Sequence, residues 1–220
     1  MAYAEANGIA VKNTPRASSN SVAELALAHM LSCARFVSIA GHTMREGKWE
    51  KKAYGKGVEL GGKTLGVIGY GRIGQALGRM AQGLGMNVVA YDIFHVEGIE
   101  CETCTMLRWT SCWRSPTLFR CTRPPSTASP HQPREHREDE GRRYLCQHVP
   151  RQQCRRGSSA GRLNSGKIRG AGLDVYAEEP AKNEALLNHP NVSCTPHIGA
   201  ATKEAQKRIG MEIVSIIDNL

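Results

Sequence analysis

The chain has 220 residues, with 29 Lys and Arg against 20 Asp and Glu, and its formal charge of +9 at first suggests a nucleic-acid or membrane-surface partner. Residues 101–162 alone hold twelve Arg, no Lys and five acids, a net +7, so the remainder is nearly neutral and neither partner is expected. No basic-then-apolar leader and no apolar run of membrane-spanning length is present, so a soluble, cytosolic chain is expected.

In chain order, "GIAVKNTP" (8–15) predicts a short strand stopped by Pro15. "SVAELALAHMLSCARF" predicts a helix capped by Ser21, with Glu24 three residues on. Val22, Leu25, Leu27, Met30 and Leu31 make it apolar nearly all round, so it is expected to be buried in a core or between subunits, and a homodimer is expected. A polar loop, 45–63, follows. "TLGVIGYGRIGQALGRMAQGLGMNVVAYD" then predicts strand, glycine turn, helix and strand. "IRGAGLDVY" and "NVSCTPH" predict two more strands, with Pro180 and Pro190 between them. The last stretch predicts a helix with Ile209, Ile213, Ile216, Ile217 and Leu220 on one face. Strands alternating with helices imply an α/β fold with a Rossmann-type, doubly wound parallel sheet.

Gly69, Gly71 and Gly74 form G-x-G-x-x-G between a strand and a helix. The first glycine permits the tight turn, the second a close backbone approach to a pyrophosphate, and the third close helix–strand packing. The helix start adds amide donors and the positive end of its dipole. Asp92, 18 residues after the last glycine, suits both ribose hydroxyls and repels a 2′-phosphate, which points to NAD rather than NADP. Further on, His197 follows a strand and a proline, and Glu179 precedes it by 18 residues. An imidazole backed by a carboxylate is a tuned acid–base pair. From spacing alone, a surface histidine and a solvated acid describe the two better.

"NTPRASSNSVAELALAHML", "GKTLGVIGYGRIGQALGRMAQGLGMNVVAYD" and "SGKIRGAGLDVYAEEP…HPNVSCTPHIGAATKEAQ" resemble the D-isomer-specific 2-hydroxyacid dehydrogenases. "PHIGAATKEAQ" is most similar to the branch that oxidises 3-phosphoglycerate. The resemblance covers roughly residues 1–98 and 163–220. It implies NAD-dependent oxidation of a D-2-hydroxy acid, with 3-phospho-D-glycerate the expected substrate. A glyoxylate or hydroxypyruvate reductase and a noncatalytic NAD-binding relict are the alternatives. It further implies that His197 accepts the proton with Glu179 as its partner, and that Asp174 lies by the nicotinamide. Arg72 and Ile73 would meet the pyrophosphate, and His197, Ile198, Gly199 and Ala200 would line the cofactor. Residues 21–200 would form the NAD-binding domain. Residues 1–20 would be a remnant of a substrate domain, to which 201–220 would return.

The family also uses an arginine in a V-N-T-x-R-G strand-end motif to hold the substrate carboxylate, a bidentate task for a planar guanidinium. That motif is missing between Asp92 and Asp174, where six of the eight cysteines also crowd: Cys101, Cys104, Cys112, Cys121, Cys146 and Cys154. Read one nucleotide late from Cys146, most adjacent codon pairs permit only two to four amino acids, and together they permit "VNTSRGNSVDEAAL". Residues from about 99 to 162 are therefore expected to be out of frame and disordered, with a compensating shift just before Leu163. The arginine codon would straddle Pro150 and Arg151, so Arg151 takes no assigned role. Cys101, Cys104, Cys112, Cys121 and His131 resemble a zinc layout but lack a second paired spacing, and no metal site is expected. An interaction protein acting through this basic segment is the remaining class. Little turnover is expected of the chain as it stands.

Overall fold

The computed structural model describes residues 2–92, 104–106, 119–122, 143–147 and 161–219, apart from 162, 167 and 177. The elements are α1 (Ala2–Ala6), α2 (Ser19–Arg35), α3 (Val37–Arg45), α4 (Lys51–Tyr54), β1 (Thr64–Ile68), α5 (Arg72–Gly83) and β2 (Asn87–Tyr91). They continue with β3 (Cys104–Met106), β4 (Phe119–Thr122), β5 (Arg143–Gln147), β6 (Ile168–Leu173), α6 (Glu184–Leu187), β7 (Val192–Cys194) and α7 (Lys203–Ile217). The strands form one sheet in the order β3-β2-β1-β4-β5-β6-β7, and every neighbouring pair is parallel. This is the doubly wound α/β sheet the sequence predicts. Its strand order reverses beside β1, where such sheets open a crevice at their carboxyl ends.

One apolar cluster joins Ala23, Ala26, Met30 and Ala34 of α2 to Leu65 and Val67 of β1, Ala76, Leu77 and Ala81 of α5, and Val88 and Ala90 of β2. Small alanines on the buried face let α2 approach α5 and strands β5, β6 and β7. The burial of α2 is thus satisfied within one chain, and no second copy is needed to explain it. A smaller cluster of Leu163, Ala171, Leu173 and Val192 lies under β6 and β7.

Several expectations are corrected. Residues 8–15 form no strand, because no neighbouring strand pairs with them among the described residues. Ser21 is not a cap: α2 starts at Ser19, and the buried Ser21 hydroxyl instead meets Thr202 Oγ1 at 2.9 Å. A partner distant in sequence has taken the hydroxyl from the local backbone. α7 forms where the sequence predicts a helix; only its Ala205 is buried, and Ile213 and Ile217 are 44% and 60% exposed. Leu31 is also exposed, at 39%.

The expected disorder of 99–162 does not hold at β3, β4 and β5, which pair in register inside the sheet. The physical reason is that parallel ladders are built from backbone N–H and C=O groups, which every residue but proline carries in full. The rest of that segment apart from Gly161, and with it Arg151 and most of the zinc-like set, lies outside the described residues. No single described helix is long and apolar enough to cross a membrane. The α2–α3 pair, bent by 68°, meets the length and composition test only jointly.

Candidate active site

Every candidate residue follows the carboxyl end of a strand. After β1 the chain turns at Gly69, whose φ of +87° is the left-handed region that favours glycine. The Gly69 amide donates to the Tyr91 carbonyl at 2.8 Å, fastening the glycine turn to the end of β2 and placing Asp92 next in line. A side chain at Gly74 is forbidden, since its Cβ would lie 2.4 Å from the Gly69 carbonyl oxygen. Gly71 is the N-cap of α5, and no side chain caps the first turn. Arg72, Ile73 and Gly74 therefore present their amides with no side-chain cap in competition, on a helix start that the absence of a Cβ at Gly74 lets sit close to the glycine turn. The residues fit a dinucleotide pyrophosphate. The side chains of Arg72 and Ile73 turn elsewhere: Arg72 Nε donates to Pro15 O at 3.1 Å, and Ile73 packs against the core.

The second half of the site is a turn braced from beneath. β6 ends at Leu173, and Asp174, 2% exposed, follows it. Its Oδ1 accepts from Thr195 Oγ1 at 2.6 Å and from the Ile198 amide at 2.9 Å, and its Oδ2 accepts from the Gly199 amide at 2.9 Å. Two successive amides pointing at one carboxylate require a sharp turn, and His197 makes it with φ 55°. A histidine in the left-handed region costs about 1 kcal/mol or more, and such outliers persist where surrounding bonds over-determine them. Gly199 fits because a Cβ there would lie 3.0 Å from Asp174 Oδ2 and 3.3 Å from Val22 Cγ2.

His197 Nδ1 lies 3.0 Å from Glu179 Oε2. The Tyr176 amide donates to Glu179 Oε1 at 3.3 Å, and the Tyr176 hydroxyl donates to Thr195 O at 2.9 Å. The bond from His197, then that from the Tyr176 amide, hold the Glu179 carboxyl below its ordinary value. Burial pushes the Tyr176 phenol up to about 12, so it remains a donor. A cleft of about 520 Å3 opens beside the pair, lined by Tyr176, Pro180, Leu187, Cys194 and His197. No group of three or more metal-ligating side chains occurs among the described residues.

The structure thus brings Glu179, Asp174 and the 197–200 turn together, and separately joins the glycine turn to Asp92. The sequence reading missed His29 and Thr195: His29 Nε2 lies 3.0 Å from Thr195 Oγ1. The available signal was a lone histidine on the small-residue face of an otherwise apolar helix.

The NAD binding domain model of the D-isomer specific 2-hydroxyacid dehydrogenases matches residues 27–115 and 160–199. The chain is 40% identical to a hydroxypyruvate reductase of Thermotoga maritima, over 97% of this chain and 71% of that protein. It is 37% identical to a D-3-phosphoglycerate dehydrogenase of Pongo abelii, over 96% of this chain but 40% of that protein. Among solved structures, a D-lactate dehydrogenase from Aquifex aeolicus complexed with NAD and lactic acid superposes with a TM-score of 0.81 at 25% identity, covering 99% of this chain and 71% of that one. A glyoxylate reductase from Paecilomyes thermophila gives 0.79 at 26% identity, over 94% and 64%. The strand order, the glycine cradle and these matches agree: the chain belongs to the D-isomer specific 2-hydroxyacid dehydrogenases, NAD-dependent oxidoreductases, and carries their NAD binding domain.

Proposed function

We propose that the protein interconverts a small D-2-hydroxy acid and its 2-oxo acid, with His197 as the proton carrier. The observation that carries this reading is the His197–Glu179 bond on a turn braced by Asp174. A bound nicotinamide would supply the hydride acceptor, or in reverse the donor, for the substrate C2. Glu179 engages Nδ1, which orients the ring and leaves Nε2 to exchange the hydroxyl proton. The carboxylate also stabilises the imidazolium formed in the oxidation direction. The amides of Arg72, Ile73 and Gly74 hold the pyrophosphate, and Asp92 holds the ribose hydroxyls. His197, Ile198, Gly199 and Ala200 would line the nicotinamide end, on a turn that Asp174 holds through the Ile198 and Gly199 amides.

The first substrate reading is 3-phospho-D-glycerate, supported by "PHIGAATKEAQ" and the D-3-phosphoglycerate dehydrogenase matches. The second is hydroxypyruvate or glyoxylate reduction, favoured by the 40% match to a hydroxypyruvate reductase of which this chain spans 71%. The chain spans under half of the D-3-phosphoglycerate dehydrogenases it matches. Residues 21–200 act as the NAD-binding unit in this proposal, with 1–20 and 201–220 belonging to a substrate-binding part. Free Cys33 and Cys194 suit a reduced compartment such as the cytosol.

The out-of-frame reading belongs to the same proposal. The break in the family match between 115 and 160 supports it, although the match runs past the boundary expected near 99. Without the carboxylate-binding arginine, turnover is low. The test compares the chain with a variant carrying VNTSRGNSVDEAAL in place of residues 146–159. Both are assayed with NAD and 3-phosphoglycerate, and with NADH and hydroxypyruvate or glyoxylate. The variant is expected to turn over at least ~10²-fold faster, the scale of a misplaced substrate. Failure of the variant on all three substrates, with NADH still bound, would overturn the enzyme reading in favour of a binding relict.

A further inference from the structure

A line of polar side chains runs from the surface to Asp174. Ser32 Oγ lies 2.9 Å from Ser38 Oγ, Ser38 Oγ 3.1 Å from Ser193 Oγ, and Ser193 Oγ 2.8 Å from His29 Nδ1. His29 Nε2 lies 3.0 Å from Thr195 Oγ1, which meets Asp174 Oδ1 at 2.6 Å. Ser38 is exposed, whereas His29 and Asp174 are each 2% exposed.

The carboxylate at the inner end fixes the direction of the two innermost bonds, and a neutral His29 then fixes the rest. Asp174 accepts from two backbone amides and one hydroxyl, so it acts as an ionised acceptor, and 2.6 Å is a charge-assisted length. Thr195 has one proton and gives it to Asp174, so Thr195 Oγ1 must accept from His29 Nε2–H. A neutral imidazole protonated there accepts at Nδ1, so Ser193 donates to it. Ser193 then accepts from Ser38, and Ser38 from Ser32. Burial favours this neutral form of His29, and the nearby Asp174 charge opposes it more weakly.

We propose that His29 is a positioning residue: its neutral imidazole, protonated on Nε2, orients Thr195 and Asp174 and so fixes the turn of residues 195–199 on which His197 is carried. This rests on the proposed role of His197, but the bonds concern the free protein. The substitutions that separate positioning from mere filling of space are H29Q and H29N. A glutamine amide reaches the place of Nε2 and still donates to Thr195. An asparagine amide reaches only the place of Nδ1 and leaves Thr195 without that donor.

The full chain labelled with 15N-histidine provides the first readout. His29, assigned by its disappearance in H29Q, is expected as the Nε2–H tautomer at neutral pH. An Nδ1–H tautomer or an imidazolium would overturn the proposal. The His197 ring resonances are expected to move in H29N and stay in place in H29Q, with circular dichroism confirming that both are folded. NADH affinity, read by fluorescence, is expected to fall about fivefold in H29N, the worth of one ordinary hydrogen bond, and to recover in H29Q. Equal behaviour of the two variants overturns the proposal. If NADH fails to bind the parent chain, cofactor binding by this chain fails, while the tautomer and the ring resonances still decide the role of His29. If H29N does not fold, T195V replaces it, with the same expected shift at His197.

Discussion

At the scale of single residues, His197, the proposed proton carrier, is held in a conformation that histidine rarely adopts, and Asp174 stabilises the turn with two backbone bonds. Removing the charge of Glu179 while keeping its shape separates orientation from proton exchange. In the variant with the arginine motif, E179Q is expected to lower kcat about 10²-fold with KM changed less than about threefold, as for general acid–base groups. Steady-state kinetics against both substrates of the pair check this, and an unchanged kcat would remove Glu179 from the proposal. The glycines were legible from residue type between a strand and a helix, whereas spacing alone left His197 and Glu179 a surface histidine and a solvated acid, and only the resemblance singled them out. His29 and Thr195 were not legible, because the two lie 166 positions apart and no local pattern joins them. Ser21 was misread for the same reason: its hydroxyl serves Thr202, 181 positions away.

At the scale of elements, the contact between α5 and the start of its own turn carries the cofactor cradle. In G74A the new methyl meets the Gly69 carbonyl, so the helix must move away from the strand. A loss of about 1–3 kcal/mol is expected in urea unfolding, as for other overpacked sites, together with weaker NADH binding. A G74A chain of parental stability and affinity would show that the cradle tolerates a side chain. At the other end of the fold, Thr202 caps α7 by accepting from the Ala205 amide at 3.1 Å, and its hydroxyl also reaches Ser21 of α2. T202A is therefore expected to cost about 1 kcal/mol, with T202S close to the parent, by the same unfolding assay. Elements with a strong period of their own, β1, α5 and β2, were legible in the sequence. The strand expected at 8–15 failed because a strand exists only with a partner. β3, β4 and β5 were missed for the converse reason, since neighbours with unpaired edges accept backbone of any composition.

At the scale of the whole molecule, a buried histidine and a half-buried cysteine set opposite limits on stability. His29 binds its proton less readily when folded than its ordinary 6.5, so the unfolded chain takes up more protons below that value. Stability is expected to be full above pH 6.5 and to fall as the pH drops below it. Cys33 is raised by burial from 9.0 to about 12, so its contribution is present below pH 9 and lost as the pH rises towards 12. Urea midpoints at pH 5.5, 7.5 and 9.8 are expected to be highest at 7.5. C33A should flatten the alkaline side and H29Q the acid side, and a midpoint unmoved by pH would contradict both burial assignments. The register of β5 on β6, in which Gln147 faces Leu173, has a consequence of another kind. Asp174 is the next residue on one strand, and the straddled arginine codon comes three to four residues later on the other. In the proposed out-of-frame reading, two slips that cancel keep the count of residues between them, so chain length acts as a ruler that survives when the lettering along it is lost. In that proposal, restoring the lettering alone returns the arginine to its proper count from Asp174, whereas a single uncancelled slip would have erased the ruler and Asp174 and His197 with it.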